Sequence, residues 1–155
     1  MLEAPIDALQ DDSRLLEECF GALAVVVEYS DIAELAAAVN RLQGSLAASV
    51  FTADEGDPDG AVCLALLSPK VGRLCANDWP TGVAYSWAQQ HGGPWPSTSA
   101  PSATSVGAAA LDRFVRPVTY QSLRDEWLPP ALQAANPWAI PRRVNGVLQP
   151  LGVTP

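Results

Sequence analysis

The sequence predicts an α/β fold in which a partial parallel sheet carries flanking helices. Apolar runs rich in β-branched residues, at 22–28, 46–52 and 71–76, have the lengths of buried strands. Two segments with helical periodicity lie between these runs. Strands that alternate with helices at short spacing indicate right-handed parallel crossovers. We therefore expect a parallel sheet of three strands with helices packed against it.

The first predicted elements are a short helix and a strand. The helix covers residues 12–19, with Asp12 or Ser13 as its cap, and Gly21 ends it. The strand at 22–28 follows at once. Because this run is apolar almost throughout, we expect the strand to be covered on both faces.

Two further helices are predicted from their capping residues. Asp31 is an N-cap, and Glu34, three residues later, completes a capping box. The apolar stripe of this helix runs from Ile32 to Leu42, and Gly44 is predicted to end the helix. The next helix covers residues 58–68, with Asp57 as its cap ahead of a proline in the first turn.

The alternation of strands and helices stops near residue 77. Residues 78–104 are rich in Gly, Pro, Ser and Trp, and so long a stretch without regular structure usually serves a function. We expect it to face a ligand. A last helix is predicted from a cap at Ser105, and residues 118–121 alternate like a half-exposed strand. An irregular, Pro-rich tail is expected at 129–155.

Composition excludes several classes of partner. The 155 residues include 48% hydrophobic and 17% charged residues, which suits one domain with a core. The net charge of −8 repels a phosphate backbone, so nucleic acid is not an expected partner. The apolar stretches are far shorter than the roughly 20 residues that span a bilayer, so no membrane contact is expected. The N-terminus lacks the pattern of a secretory signal, which favours a cytoplasmic location.

Residue spacing predicts neither a metal site nor a catalytic residue. His91 is the only histidine, and no Cys-x-x-Cys pair occurs. The acidic turn at 54–60 places Gly56 and Pro58 where a calcium loop needs oxygen ligands, so a solvated turn is favoured. Cys75 could pair with His91 as a nucleophile, but its mid-strand position favours inert packing.

Two segments are more specific than these general patterns. Glu17-Glu18-Cys19-Phe20-Gly21, followed by an apolar strand, resembles the Glu-Glu-x-Phe-Gly-Pro motif of the aldehyde dehydrogenase superfamily. Val71-Gly-Arg-Leu-Cys-Ala-Asn77 resembles the strand that leads to an Asn-containing approach to that family's active site. The resemblance departs at Ala22, where the family commonly has proline.

Later motifs resemble the branch that oxidises 2-oxoglutarate semialdehyde (2,5-dioxovalerate). They are His91-Gly-Gly-Pro-Trp-Pro-Ser-Thr98, Asp112-Arg-Phe-Val-Arg-Pro-Val118 and Leu128-Pro-Pro-Ala-Leu. The resemblance runs in collinear order through roughly residues 6–146 and corresponds to the C-terminal portion of the catalytic domain. It implies a partial catalytic domain at 1–128, which includes a late oligomerisation-type strand at 115–123, followed by the tail at 129–155.

The resemblance implies a mechanism of which this chain holds only a part. In the family a thiolate attacks the aldehyde, hydride passes to NAD or NADP, and a glutamate-activated water cleaves the thioester. The family's nucleotide-binding domain, nucleophilic cysteine and general-base glutamate have no counterpart in these residues. We therefore expect no catalytic residue here, no tightly bound cofactor and no turnover by the chain alone.

The resemblance also implies roles for individual residues. Glu18 matches the residue that holds the nicotinamide ribose hydroxyls, and Phe20 matches the aromatic residue beside the nicotinamide. The alternatives are a solvated carboxylate for Glu18 and core packing for Phe20. The loop that would border the aldehyde pocket contains His91, Gly92, Gly93, Pro94 and Trp95.

The implied partners follow from the late strand. In the family this strand joins a sheet that a neighbouring subunit completes, so the isolated chain should carry an unpaired edge. We expect a homo-oligomer or a complementing dehydrogenase chain. Three hypotheses stay open: the C-terminal piece of a semialdehyde dehydrogenase, a non-catalytic interaction module that uses the strand near Tyr120, or an unrelated α/β protein whose Trp-rich loop holds a ligand.

Overall fold

The chain is described by a computed structural model that covers residues 1–53 and 56–149. It divides into two compact units, Met1–Val115 and Arg116–Pro155. The family-derived boundary at residue 128 stays a prediction. The first unit contains β1 (Leu2–Ala4), β2 (Val25–Val27), α1 (Ile32–Arg41), β3 (Ser45–Val50), α2 (Pro58–Leu67) and β4 (Val71–Ala76).

The strands of the first unit form two parallel pairs. In one pair Leu2 of β1 lies opposite Val25 of β2, and in the other Ser45 of β3 lies opposite Val71 of β4. The predicted parallel pairing is therefore present, but the prediction that residues 22–28 join the same sheet is wrong for the described residues. The partner of β2 is the three-residue strand β1, which sequence reasoning did not predict because so short a run has no periodicity.

Helix α1 begins at the predicted capping box. The Glu34 N–H donates to the Asp31 carboxylate at 2.9 Å, and the Glu34 carboxylate accepts the Ser30 N–H at 2.7 Å. These bonds satisfy donors that the first turn leaves without helical partners. The predicted start of the helix is confirmed.

The end of α1 differs from the prediction. The helix ends at Arg41, and the Lys70 ammonium donates to the carbonyls of Asn40 and Leu42 at 2.9 and 2.8 Å. A cation at this position complements the negative end of the helix dipole. Gly44 serves packing instead, because a Cβ atom there would lie 2.5 Å from the Trp95 carbonyl oxygen.

Helix α2 confirms its predicted start. The Asp57 carboxylate accepts the Asp59 N–H at 3.0 Å, and Pro58 occupies the first turn, where its missing N–H costs no hydrogen bond. The helix ends at Leu67, one residue before the predicted end, and a 3-10 turn at Ser68–Lys70 leads into β4.

Two other predicted helices are shorter than expected. Residues 12–19 form only a 3-10 turn at Arg14–Leu16, which the Ser13 hydroxyl caps by accepting the Leu15 N–H at 3.3 Å. The backbone is already extended at Glu17, so the turn does not propagate. The helix expected from Ser105 is a 3-10 helix that covers Ala108–Phe114.

The second unit contains an antiparallel hairpin. Its strands are β5 (Arg142–Val144) and β6 (Val147–Gln149), joined by Asn145 and Gly146 at φ 49° and 82°. Positive φ at both turn residues is typical of the Asn-Gly turn that suits a two-residue hairpin. The prediction of an irregular tail is therefore wrong for residues 142–149, while residues 150–155 lie outside the described residues.

The predicted late strand at 115–123 has no ladder partner among the described residues. Its apolar side chains are exposed, including Val118 at 55% and Tyr120 at 45%. A strand is stabilised by its neighbour, so these residues form no strand in the single chain.

The described residues bury little apolar material. Ala38 and Val39, both on α1, are the buried hydrophobic residues. All five tryptophans are exposed, from 62% at Trp127 to 89% at Trp87. None of the helices in the described ranges has the length and hydropathy to cross a bilayer.

Candidate functional site

The Gly92-Gly93 pair lies against the amino ends of β3 and β4. A Cβ atom at Gly93 would lie 2.6 Å from the Ser45 carbonyl oxygen, and one at Gly72 would lie 2.6 Å from the Gly92 carbonyl carbon. Both residues of the pair are buried. Glycine is therefore required at Gly93 in the loop and at Gly72 in β4. These close contacts attach the predicted pocket loop to the sheet.

A set of hydrogen bonds connects this loop to the segment before the 3-10 helix Ala108–Phe114. The His91 N–H donates to the Thr104 hydroxyl at 2.8 Å, and that hydroxyl donates to the Val106 carbonyl at 2.7 Å. The Ser105 N–H and hydroxyl both donate to the His91 carbonyl at 3.0 Å. Ser105 therefore holds the loop and does not cap a helix. Thr104 is only 2% exposed, so its hydrogen bonds are shielded from water.

The five predicted pocket residues fall into different surroundings. His91 and Gly92 border a cavity of about 370 Å³, here called the His91 cavity. Gly93 and Pro94 border another cavity of about 360 Å³ near the start of β4. Trp95 borders neither cavity and is 72% exposed. The remaining lining of the His91 cavity consists of Leu46, Ser97, Thr98, Ser99, Ala100, Ala103, Thr104, Ser105 and Arg113.

The predicted cofactor residues lie beside the same region. Glu18 borders a cavity of about 480 Å³, here called the Glu18 cavity, which shares Leu46 and Ser97 with the His91 cavity. The structure therefore brings Glu18 and His91 to adjoining cavities, although they are far apart in the sequence. Phe20 is 93% exposed, so the alternative of core packing is wrong for this residue.

Asn77 and Arg73 organise the segment that follows β4. The Asn77 side chain accepts the Thr52 N–H at 2.8 Å and donates to the Thr52 hydroxyl at 3.1 Å, which joins the ends of β3 and β4. Arg73 donates to the carbonyls of Pro80 and Gly82. These bonds hold the chain where the family resemblance places its approach to the active site.

A further cavity of about 320 Å³ lies at the carboxyl end of β3, and sequence reasoning missed it. Cys63 borders it, and burial, together with the nearby charges of Asp59 and Asp57, raises the pKa of the thiol. A thiol that keeps its proton is a poor nucleophile. The buried Ser49 hydroxyl, also at this cavity, has no hydrogen-bond partner among the described residues.

The other candidates for chemistry stay apart from the His91 cavity. Cys75 lies in β4 opposite Ser49 and does not border that cavity. Within residues 1–53 and 56–149, no three His, Cys, Asp or Glu side chains gather as a metal site would require. Asp54 and Glu55 of the acidic turn lie outside the described residues.

Comparison with known proteins identifies the family. Residues 6–117, more than half of the chain, match the model of the aldehyde dehydrogenase family. The chain belongs to the aldehyde dehydrogenase family. The match ends within two residues of the boundary of the first compact unit, Met1–Val115, so that unit carries most of the aldehyde dehydrogenase sequence.

Two relatives confirm the resemblance to one branch of the aldehyde dehydrogenases. Alpha-ketoglutaric semialdehyde dehydrogenase 2 of Azospirillum brasilense is 40% identical over 146 residues, which are 94% of this chain and 28% of that protein. Alpha-ketoglutaric semialdehyde dehydrogenase of Acinetobacter baylyi (strain ATCC 33305 / BD413 / ADP1) is 44% identical over 141 residues, 90% of this chain and 27% of that protein. The chain spans little more than a quarter of the length of these relatives.

Proposed function

We propose that this chain supplies the C-terminal part of an NAD(P)-dependent dehydrogenase that oxidises 2-oxoglutarate semialdehyde to 2-oxoglutarate. The observation that carries the proposal is the 40–44% identity to two alpha-ketoglutaric semialdehyde dehydrogenases over nine-tenths or more of the chain. The chain alone is inactive and binds no cofactor tightly, because a complementary part of the enzyme holds the nucleotide and the nucleophile.

Exposed apolar surface supports the need for a complementary part. The described residues leave Phe20, Trp87 and Trp95 between 72% and 93% exposed. Monomeric proteins rarely expose so many large apolar side chains, because each one that packs against a partner gains about 1.5–3 kcal/mol. A complementing dehydrogenase chain, or further copies of this chain, would cover this surface.

The residues present suit one end of the cofactor. The Glu18 carboxylate borders a cavity, where it would accept hydrogen bonds from ribose hydroxyls, and the uncovered Phe20 ring offers a face for the nicotinamide. Bound NAD or NADP supplies the acceptor for the hydride that leaves the substrate. No Gly-x-Gly-x-x-Gly or Walker motif occurs in this sequence, so phosphate contacts fall to the complementary part.

Cys63 and Cys75 do not suit the nucleophilic step. Burial and two carboxylates raise the pKa of Cys63, and Cys75 lies within a strand. Cys19 is exposed, but it lies in the Glu-Glu-x-Phe-Gly motif, where the resemblance places no nucleophile. We therefore assign the nucleophilic cysteine and the general base to the complementary part. The role of this chain is to border the pocket and hold the nicotinamide ribose.

Complementation tests this proposal. The chain would be co-expressed with the Acinetobacter baylyi relative from which the matching C-terminal quarter has been removed. We expect reduction of NAD or NADP with 2-oxoglutarate semialdehyde by the purified pair and none by either part alone. Glu18→Gln should lower activity at least tenfold, while Glu28→Gln, a matched loss of charge at an exposed residue that borders neither the Glu18 cavity nor the His91 cavity, should change it less than twofold. Turnover by the 155-residue chain alone, or an inactive but stable pair, would contradict the proposal.

A second candidate function is a non-catalytic oligomerisation or interaction module. The observation that favours it is the exposed, unpaired segment at 115–123. In an extended segment Val118 and Tyr120 share one face, and Thr119 points to the other. Light scattering should show a defined oligomer that Val118→Lys dissociates and Thr119→Lys leaves intact. A monomer, or an equal effect of both variants, would contradict the module.

A further inference from the structure

We propose that the His91 cavity binds the carboxylate of a small 2-oxo acid, with Arg113 as the anchor. This inference rests on the proposed function and deepens it, because it assigns residues of this chain to the anionic end of the substrate. The cavity, about 370 Å³, falls within the range of small-molecule sites.

The Arg113 guanidinium is available for a ligand. It borders the cavity and makes no hydrogen bond or ion pair among the described residues. A guanidinium presents a planar fork of N–H donors that matches a carboxylate in two parallel bonds. Among the described cationic side chains only Arg41 and Arg124 form ion pairs, so the feature that distinguishes Arg113 is its position at the cavity.

The rest of the lining also suits an anion. The described residues that line the cavity include no aspartate or glutamate, so no carboxylate of the lining repels an anion. The His91 imidazole and the Ser99 hydroxyl border the cavity and are further hydrogen-bond donors. A keto oxygen beside the carboxylate would accept from such groups.

Both walls of the cavity are held in place. Arg113 lies on the 3-10 helix Ala108–Phe114, whose start is held by Gly107 at φ 86°, where a Cβ atom would lie 2.8 Å from the Ser86 carbonyl oxygen. The opposite wall is held by the buried Thr104 hydroxyl through its bond to the His91 N–H. Because the backbone on both sides of the cavity is held, less entropy is lost on binding than if the two segments also had to be ordered.

The negative charges at the adjoining Glu18 cavity favour one orientation of the bound ligand. Glu17 and Glu18 border that cavity, so a carboxylate is repelled there and favoured beside Arg113. The shared wall at Leu46 and Ser97 lies between the two. A semialdehyde held by its carboxylate in the His91 cavity therefore directs its aldehyde end toward the side that carries the proposed ribose contact.

Calorimetric binding to the purified chain tests the inference with 2-oxopentanoate, which has the carboxylate and keto groups but no aldehyde. We expect binding that Arg113→Gln weakens at least tenfold and Arg14→Gln changes less than twofold. Arg14 is the matched control, an exposed cation outside both cavities. Pentanal, which lacks the carboxylate, should not bind.

Three results would overturn the inference. They are equal binding by wild type and Arg113→Gln, no binding of 2-oxopentanoate, or equal displacement by inorganic phosphate, which would indicate a general anion site. If Arg113→Gln loses its circular dichroism signal, Arg113→Lys replaces it, and weaker binding by that variant supports a bidentate contact, whereas unchanged binding opposes it. Because this assay needs neither cofactor nor turnover, its failure is distinguishable from failure of the complementation experiment.

Discussion

Gly72→Ala should separate the pocket loop from the sheet. Gly72 lies in β4, and a Cβ atom there would overlap the Gly92 carbonyl group, with its carbon at 2.6 Å, and would lie 3.0 Å from the Gly93 Cα atom. Carbon atoms pack at about 3.5–4.0 Å, so the two backbones must move apart by about 1 Å. Neither partner is a flexible side chain that could rotate away.

The expected loss follows from this displacement. Overpacking typically costs about 1–3 kcal/mol, and because both partners are backbone we expect a value near the upper end. A loss of about 3 kcal/mol corresponds to a fall in Tm of about 6–12 °C for a chain of this length. The same movement widens the His91 cavity, so 2-oxopentanoate binding should weaken as well.

Thermal unfolding followed by circular dichroism measures the first effect, with Gly21 as the control. A Cβ atom at Gly21 meets nothing within 4 Å. We expect the Gly21→Ala protein to be as stable as the wild type or slightly more so. If the Tm of the Gly72→Ala protein lies within about 1 °C of the wild-type Tm, the packing argument is refuted.

Three further predictions concern buried or charged groups. Thr104→Val should lower the unfolding free energy by about 2 kcal/mol, since it leaves buried backbone groups without partners. Lys70→Met should cost about 1 kcal/mol by releasing two carbonyls at the end of α1. Alkylation of Cys63 should be slow, because burial and nearby carboxylates raise its pKa, and Asp59→Asn should lower that pKa and increase the rate. At a pH above the ordinary thiol pKa, Cys63 binds fewer protons in the unfolded chain than in the folded chain. The contribution of Cys63 to the unfolding free energy therefore falls as the pH rises.

Each of these predictions has its own control. Urea unfolding should show that Thr104→Ser, which keeps the hydroxyl, retains most of the stability, and equal losses for Ser and Val would contradict the hydrogen-bond argument. Lys70→Arg should restore the cap, so an equally unstable Arg variant would oppose it. Mass spectrometry resolves alkylation at each cysteine, and an Asp59→Asn protein with an unchanged pH–rate curve at Cys63 would exclude the electrostatic cause.

Local signals in the sequence account for the elements that were predicted well. The caps at Asp31 and Asp57 act within three residues, and the apolar runs of β3 and β4 need only their own composition to indicate strands. The hairpin at Asn145-Gly146 also had a local signal, but the surrounding prolines led to the prediction of an irregular tail. Motifs likewise indicated the family, whereas the roles of Glu18 and the His91 loop stay predictions.

Contacts between residues far apart in the sequence decide the features that the sequence did not predict. The pairing of β1 with β2 joins residues more than twenty positions apart, and neither strand is long enough to be recognised alone. The exposure of Phe20, the separation of Gly93 and Pro94 from the His91 cavity, and the position of Arg113 beside that cavity depend on how loops pack on the sheet. A sequence pattern records which groups a segment can bury or bond nearby, whereas the position of a side chain in a cavity depends on contacts that only the folded chain brings together.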